Sequence, residues 1–259
     1  MSTATHNRYS DSSRYLDELD RESAAIWSEI LSKSRLTAAI EKGTIDRKLF
    51  AIYMVETYHY TSHNARNQAL VGVRAVGQPP QYIKFCFEHA AEETGHELMA
   101  LHDVRSLGLT DASFEIPPPL PDTETLIAYL YWISATGNPL QRLGYSYWAE
   151  NSYHYINPLL HKLKKRLSLE DNQLTFFVAH SEIDREHAQE VRDVLGRYCH
   201  SASDWAAVKR VLATSLRLTG RFMEGVYDEY ERLLTGHSTG YAFLANTGAP
   251  PALAGTNAP

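Results

Sequence analysis

The chain has 259 residues, with 25 Lys and Arg against 31 Asp and Glu and a formal net charge of −6; this excludes a nucleic-acid binder that works through bulk positive charge. At 44% hydrophobic and 22% charged residues, the composition is that of a folded domain with room for one large core or two small ones, not of a disordered chain. The two cysteines, Cys86 and Cys199, are too few for a disulfide framework or a thiolate zinc site; they read as small packing residues and suit a reducing cytosol.

The first two dozen residues are polar, with no apolar segment of signal-peptide type, and no run approaches the ~18 apolar residues of a membrane span. A cytoplasmic protein without membrane contact is expected, residues 1–11 forming a flexible N-terminus. Glycine and proline cluster at a few points, as in an all-helical chain. A first helix from Ser12 to Lys33 carries an apolar stripe through Leu16, Leu19, Ile26, Trp27, Ile30 and Leu31. Thr44 or Asp46 can cap a second helix that runs to Val76. Gly77, Pro79 and Pro80 then break the chain before a third helix from Gln81 to Leu107, and FEIPPPLP at 114–121 is a rigid connector. A fourth helix spans Asp122 to Gly137, a fifth Pro139 to Leu167, a sixth Ser168 or Leu169 to Tyr198, and a seventh Asp204 to Leu234. Residues 236–259, rich in Gly, Ala and Pro, read as a flexible tail. Seven helices on short connectors predict one all-α bundle over residues 12–235.

Histidine is unusually frequent: 12 in all, nine of them between His59 and His187. In FFVAHSEIDREHAQEV, His180, Asp184 and His187 stand at offsets of zero, four and seven, within about 60° of arc on a helix. The same face continues through Phe176, Phe177 and Val191, so the polar triplet borders the core and needs partners, which a divalent metal or a hydrogen-bonded network supplies. On the third helix Glu93 and His96 are three apart, a spacing found in di-iron carboxylate bundles, and Glu92, four before His96, is geometrically as good. Glu150 is set among Tyr145, Tyr147, Trp148, Tyr153 and Tyr155, with His154 one turn further on. Glu56, His59 and His63 form another stripe beside Tyr53, Tyr58 and Tyr60, open to roles as ligands, substrate contacts or a core network.

Four helices that each offer an inward carboxylate or histidine point to a metal, because a bundle gains nothing by burying so many ionisable groups unless an ion or a substrate pairs them. Imidazole and carboxylate without thiolate suit iron or manganese and also accept zinc. Three His and three carboxylates exceed the needs of one ion, so two metals are the better fit.

HSEIDREH, in the order H-x3-D-x2-H, resembles the last metal-binding helix of the heme-oxygenase-like di-iron oxidases and oxygenases. The 54 residues from His96 to Glu150 and the 30 from Glu150 to His180 are similar to that family's intervals, and the likeness covers residues 44–190. The resemblance implies a seven-helix heme-oxygenase-like bundle holding two ferrous ions on Glu93, His96, Glu150, His180, Asp184 and His187. Glu93 and His96 would serve one iron and His180 and His187 the other, with Asp184 shared or terminal and Glu150 bridging.

Dioxygen would be the co-substrate and the electron donor an external reductant. A small amino acid-like or carboxylate substrate would be oxidised at an amine nitrogen or a C–H or C–C bond, as in natural-product biosynthesis. Glu56, Tyr60, His63, His154 and Arg66 are candidates for substrate contact or support of the ligands. Arg142 is a second guanidinium able to hold a carboxylate, and Tyr53, Tyr145 and Tyr147 are candidates for the pocket wall. A homodimer is compatible with such a bundle. The same fold carries metal-free enzymes, thiaminase II and pyrroloquinoline quinone synthase, so a metal-free enzyme or a small-molecule binding protein is the alternative. Thiaminase II depends on a nucleophilic cysteine in a context that Cys86 and Cys199 do not share.

Overall fold

The computed structural model describes the backbone of residues 3–245 and the side chains of residues 12–179 and 186–245. Every regular element among them is helical: α1 (Thr3–Lys33), α2 (Arg35–Lys42), α3 (Arg47–Thr61), α4 (Asn64–Arg74), α5 (Pro80–Glu92), α6 (Glu97–Ser106), α7 (Pro121–Ala135), α8 (Leu143–Ala149), α9 (Tyr153–Leu167), α10 (Thr175–Tyr198) and α11 (Ala202–Leu234), with short 3-10 turns at Asp171–Gln173 and Ala242–Leu244. The predicted all-α class holds, but the seven predicted helices become eleven. The second, third and fifth each break in two, and residues 35–42 form one more. Local chemistry explains the added element: Ser34 caps α2 by accepting from the Thr37 amide, and Gly43, at φ 72°, ends it. Asp46 caps α3 through the Leu49 amide at 2.9 Å, and Ser201 with Asp204 forms a reciprocal capping box on α11.

Helix α3 is the centre of the bundle. Leu49, Phe50, Ala51, Ile52, Met54, Val55, Glu56 and Thr57 are all buried, so it is enclosed on all sides, packed against α6, α7 and α11. The 33-residue α11 runs along the molecule and carries α8 on its flank. Helix α10 has no capping side chain of its own. Asp103, fully buried on α6, supplies one from a distance, accepting from the Thr175 amide at 2.8 Å, the Thr175 hydroxyl at 2.7 Å and the Phe176 amide at 3.0 Å. This fixes the start of α10 against α6.

Helix α1 begins at Thr3, not at Ser12, and packing continues to residue 245, with Tyr241 and Leu244 buried. The Tyr241 hydroxyl donates to Glu56 Oε1 at 2.5 Å, while Oε2 accepts from the Leu120 amide at 3.0 Å and from the Thr123 hydroxyl. Replacing Tyr241 with Phe removes one donor from a buried carboxyl and is expected to cost about 2 kcal/mol in urea denaturation while leaving metal content unchanged.

Candidate metal centre

Three helix termini and one helix interior converge near the middle of the molecule. His89 lies in the last turn of α5, four residues before Glu93, whose amide donates to the His89 carbonyl at 3.0 Å. Glu93 to His96 form a turn, not the continuous helix expected, with Gly95 at φ 97° providing the left-handed residue that lets α6 restart in a new direction. Glu150 is the C-cap of α8, where a second turn separates it from α9. His187 lies within α10.

Glu150, only 8% exposed, sits between two imidazoles. His89 Nε2 is 3.5 Å from its Oε1 and His187 Nδ1 is 3.6 Å from its Oε2. The two rings lie 5.2 Å apart. On the α5 side, His96 Nδ1 is 3.5 Å from Glu93 Oε1, and the exposed Glu92 reaches His187 Nε2 at 3.4 Å. Glu93 is buried and faces the cavity described below, whereas Glu92 groups with His89 and Glu190 at the rim. His89, Glu150 and His187 offer ligand atoms that all lie within 4.8 Å of one another.

The electrostatics of the cluster follow from its burial. Burial works to raise the Glu150 carboxyl, but the imidazoles of His187 and His89 outweigh it and hold the group below the usual carboxylate range. The carboxylate of Glu150 beside it raises His187 to about 9 against the opposing effect of burial, so without metal its imidazole carries a proton at neutral pH.

The donor set fits a metal. Separations of 3.5 and 3.6 Å exceed the usual 2.7–3.2 Å of a nitrogen-to-oxygen hydrogen bond. They match the roughly 3.0–3.5 Å between neighbouring ligands that each stand about 2.1 Å from one ion. His89 Nδ1 and His187 Nδ1 are buried without a hydrogen-bond partner among the described residues, an arrangement that costs free energy unless something else fills the site.

A cavity of about 150 Å³ opens against His89, Glu93 and Glu150. Its walls are largely aromatic and aliphatic, including Trp27, Ile40, Tyr53, Tyr60, Phe177 and Phe222. Arg142, at the start of α8 and 2% exposed, also lines it. Nε donates to Asn67 Oδ1 at 2.5 Å, and Nη1 donates to Gln68 Oε1 and to Ser146 Oγ at 3.0 Å. All three acceptors are neutral, and burial lowers the pKa of the guanidinium against the through-space pull of Tyr145 and Glu93.

The structure thus brings Glu93, His96, Glu150 and His187 together and adds His89, to which the sequence analysis gave no role. His180 and Asp184 lie on the same helix as His187, but their side chains fall outside the described residues. Tyr53, Tyr60 and Tyr145 line the cavity as expected, whereas Tyr147, two residues on from Tyr145, turns away and donates to Asp20 Oδ1 at 2.5 Å.

Glu56 is not brought to the cluster, because the central helix points it into the network of Leu120, Thr123 and Tyr241. His59 Nε2 pairs with the Pro117 carbonyl at 2.8 Å and His63 Nδ1 with the Tyr131 hydroxyl at 2.9 Å. Arg66 is exposed, and the turn after Glu150 leaves His154 exposed, its ring tilted against that of Tyr153 at 4.0 Å, instead of beside Glu150.

Against this geometry, comparison with known proteins is informative. The chain belongs to the family described as iron-containing redox enzymes, whose model matches residues 51–218. A domain of unknown function with a heme oxygenase-like fold from Shewanella denitrificans is 50% identical, with a TM-score of 0.81, over 85% of this chain and 95% of that one. TenA homologues show the same fold at greater distance. The one from Pyrococcus horikoshii is 17% identical (TM-score 0.63, 83% of this chain, 98% of that one), and the one from Pyrococcus furiosus is 18% identical (TM-score 0.65, 82% and 100%). No curated protein matches the chain. The fold is therefore heme-oxygenase-like, and no helix among the described residues is long and apolar enough to cross a membrane.

Proposed function

We propose that the protein is a non-heme di-iron oxidase or oxygenase that uses dioxygen to oxidise a small, largely apolar substrate bearing a carboxylate. The observation that carries this reading is Glu150, buried between His89 and His187 at the wall of an apolar cavity. Glu93, His96, Glu150 and His187, with His180 and Asp184 by their positions on α10, would hold two ferrous ions. When bound, the irons supply the electrons and the open positions at which dioxygen reacts.

The chain's own residues bind, orient and keep water out. Phe177, Phe222 and Trp27 favour an apolar substrate body and leave little room for solvent. Arg142 is held by neutral acceptors alone, so its charge is available to a substrate carboxylate in the cavity. A metal-free enzyme of the TenA type finds support in the shared fold but not in the thiols. Both cysteines are buried, and burial pushes Cys86 up to about 11, leaving it protonated at neutral pH.

Two measurements test the reading. Anaerobic protein loaded with Fe(II) and mixed with oxygenated buffer is expected to show a transient visible absorption and to consume oxygen faster with apolar carboxylic acids present. Loaded protein that consumes no oxygen beyond the rate of free Fe(II) would contradict it. The proton on His187 supplies a second test. Below about 9 that proton competes with a metal for the same imidazole, so Fe(II) affinity is expected to rise between pH 7 and 9 and flatten above. Calorimetric titration in buffers of different ionisation enthalpy reads the proton released.

A further inference from the structure

Among the described residues His89 is the most deeply buried histidine of the centre, 2% exposed, and it lies outside the six-residue ligand set implied by family resemblance. Its sequence setting supplies a role. Residues 89–96 read H-x3-E-x2-H and residues 180–187 read H-x3-D-x2-H, so both offer imidazole, carboxylate and imidazole at offsets of zero, four and seven. The second motif enters here by its spacing on α10 alone. In the structure Glu150 stands between the two motifs and divides its oxygens between them, Oε1 toward His89 and Oε2 toward His187.

We infer that His89 is an iron ligand, standing on the Oε1 side of Glu150 as His187 stands on its Oε2 side. This rests on the di-iron reading above and adds a seventh protein ligand to it. A histidine that only hydrogen-bonded to Glu150 would sit closer than 3.5 Å to its acceptor, and one that only packed would give its buried nitrogens partners. His89 does neither, since Nδ1 is buried with no hydrogen-bond partner among the described residues.

Anaerobic Fe(II) titration of the full chain and of His89→Gln and His89→Ala separates the possibilities. The parent is expected to take up two equivalents, and the variants to retain one while the second weakens by at least about tenfold. Folded variants that bind both equivalents as the parent does overturn the assignment of His89 and leave the di-iron reading standing. A parent that binds fewer than two overturns the di-iron reading, and His89's place with it. A crystal structure of Fe(II)-soaked parent needs no variant. A His89 ring nitrogen within about 2.3 Å of an iron is expected, and one beyond about 3 Å from either iron refutes the ligation.

Discussion

Replacing Glu150 with Ala is expected to strip the protein of iron, lowering Fe(II) affinity by about 100-fold or more, beyond the 10–100-fold typical of residues that merely support a ligand. The reason is positional. One carboxylate faces imidazoles from two helices at 3.5 and 3.6 Å, so its loss removes a donor from both sides at once. The metal-free protein also changes. His187 loses the partner that raises it, its pKa falls toward the ordinary imidazole value near 6.5, and the rise of metal affinity between pH 7 and 9 disappears. Stability should fall by only about 1–3 kcal/mol, because His187 can release its proton once unpaired. Glu150→Gln keeps the volume and removes the charge, so it should lose iron with a smaller cost in folding. Fe(II) titration alongside thermal unfolding checks both halves of the prediction.

Gly144→Ala is expected to be the most damaging methyl addition at any of the described glycines. A Cβ at residue 144 would stand 2.1 Å from the Val208 carbonyl oxygen and 2.8 Å from the Leu212 amide nitrogen. Both are backbone atoms of α11, which cannot rotate aside as a side chain does. The helices must separate, at a cost of about 3 kcal/mol or more, equivalent to a fall in Tm of roughly 10 °C. The consequence reaches the site because α8 carries Arg142 at one end and Glu150 at the other. Iron uptake should therefore weaken in parallel with the melting temperature, a coupling that Tyr241→Phe, remote from the centre, should not show.

Much of this centre was legible in the sequence because helical spacing is a local property. His187 needed only the 3.6-residue period of its helix, Glu93 and His96 their closeness in sequence although a turn holds that pair, and Glu150 was marked by aromatic neighbours of which Tyr145, Tyr147 and Trp148 are buried with it. His89 was missed because the pattern was followed from His96 back only one turn, to Glu93 and Glu92, and His89 lies a second turn away. The available signal was the repeat of the offsets zero, four and seven in the two histidine motifs.

Glu56 misled for the opposite reason. Its periodicity is real, but a helix enclosed on every side presents its polar residues to whichever element packs there, here Leu120, Thr123 and the C-terminal Tyr241. That partner lies 185 residues away, beyond any local pattern. The breaks at Glu93–His96 and Glu150–Ser152 were invisible because neither contains proline, and the single Gly95 is weak punctuation. The packed residues at 241–244 were hidden in a stretch whose composition is otherwise that of a tail.

The most direct test of the account is the metal content of the full chain. The protein is loaded anaerobically with excess Fe(II) at pH 8 and desalted, and iron and protein are measured on the same sample. The account predicts about two irons per folded chain, held by the carboxylate–histidine cluster. Folded protein that emerges with no iron above the background of the desalting buffer would contradict it.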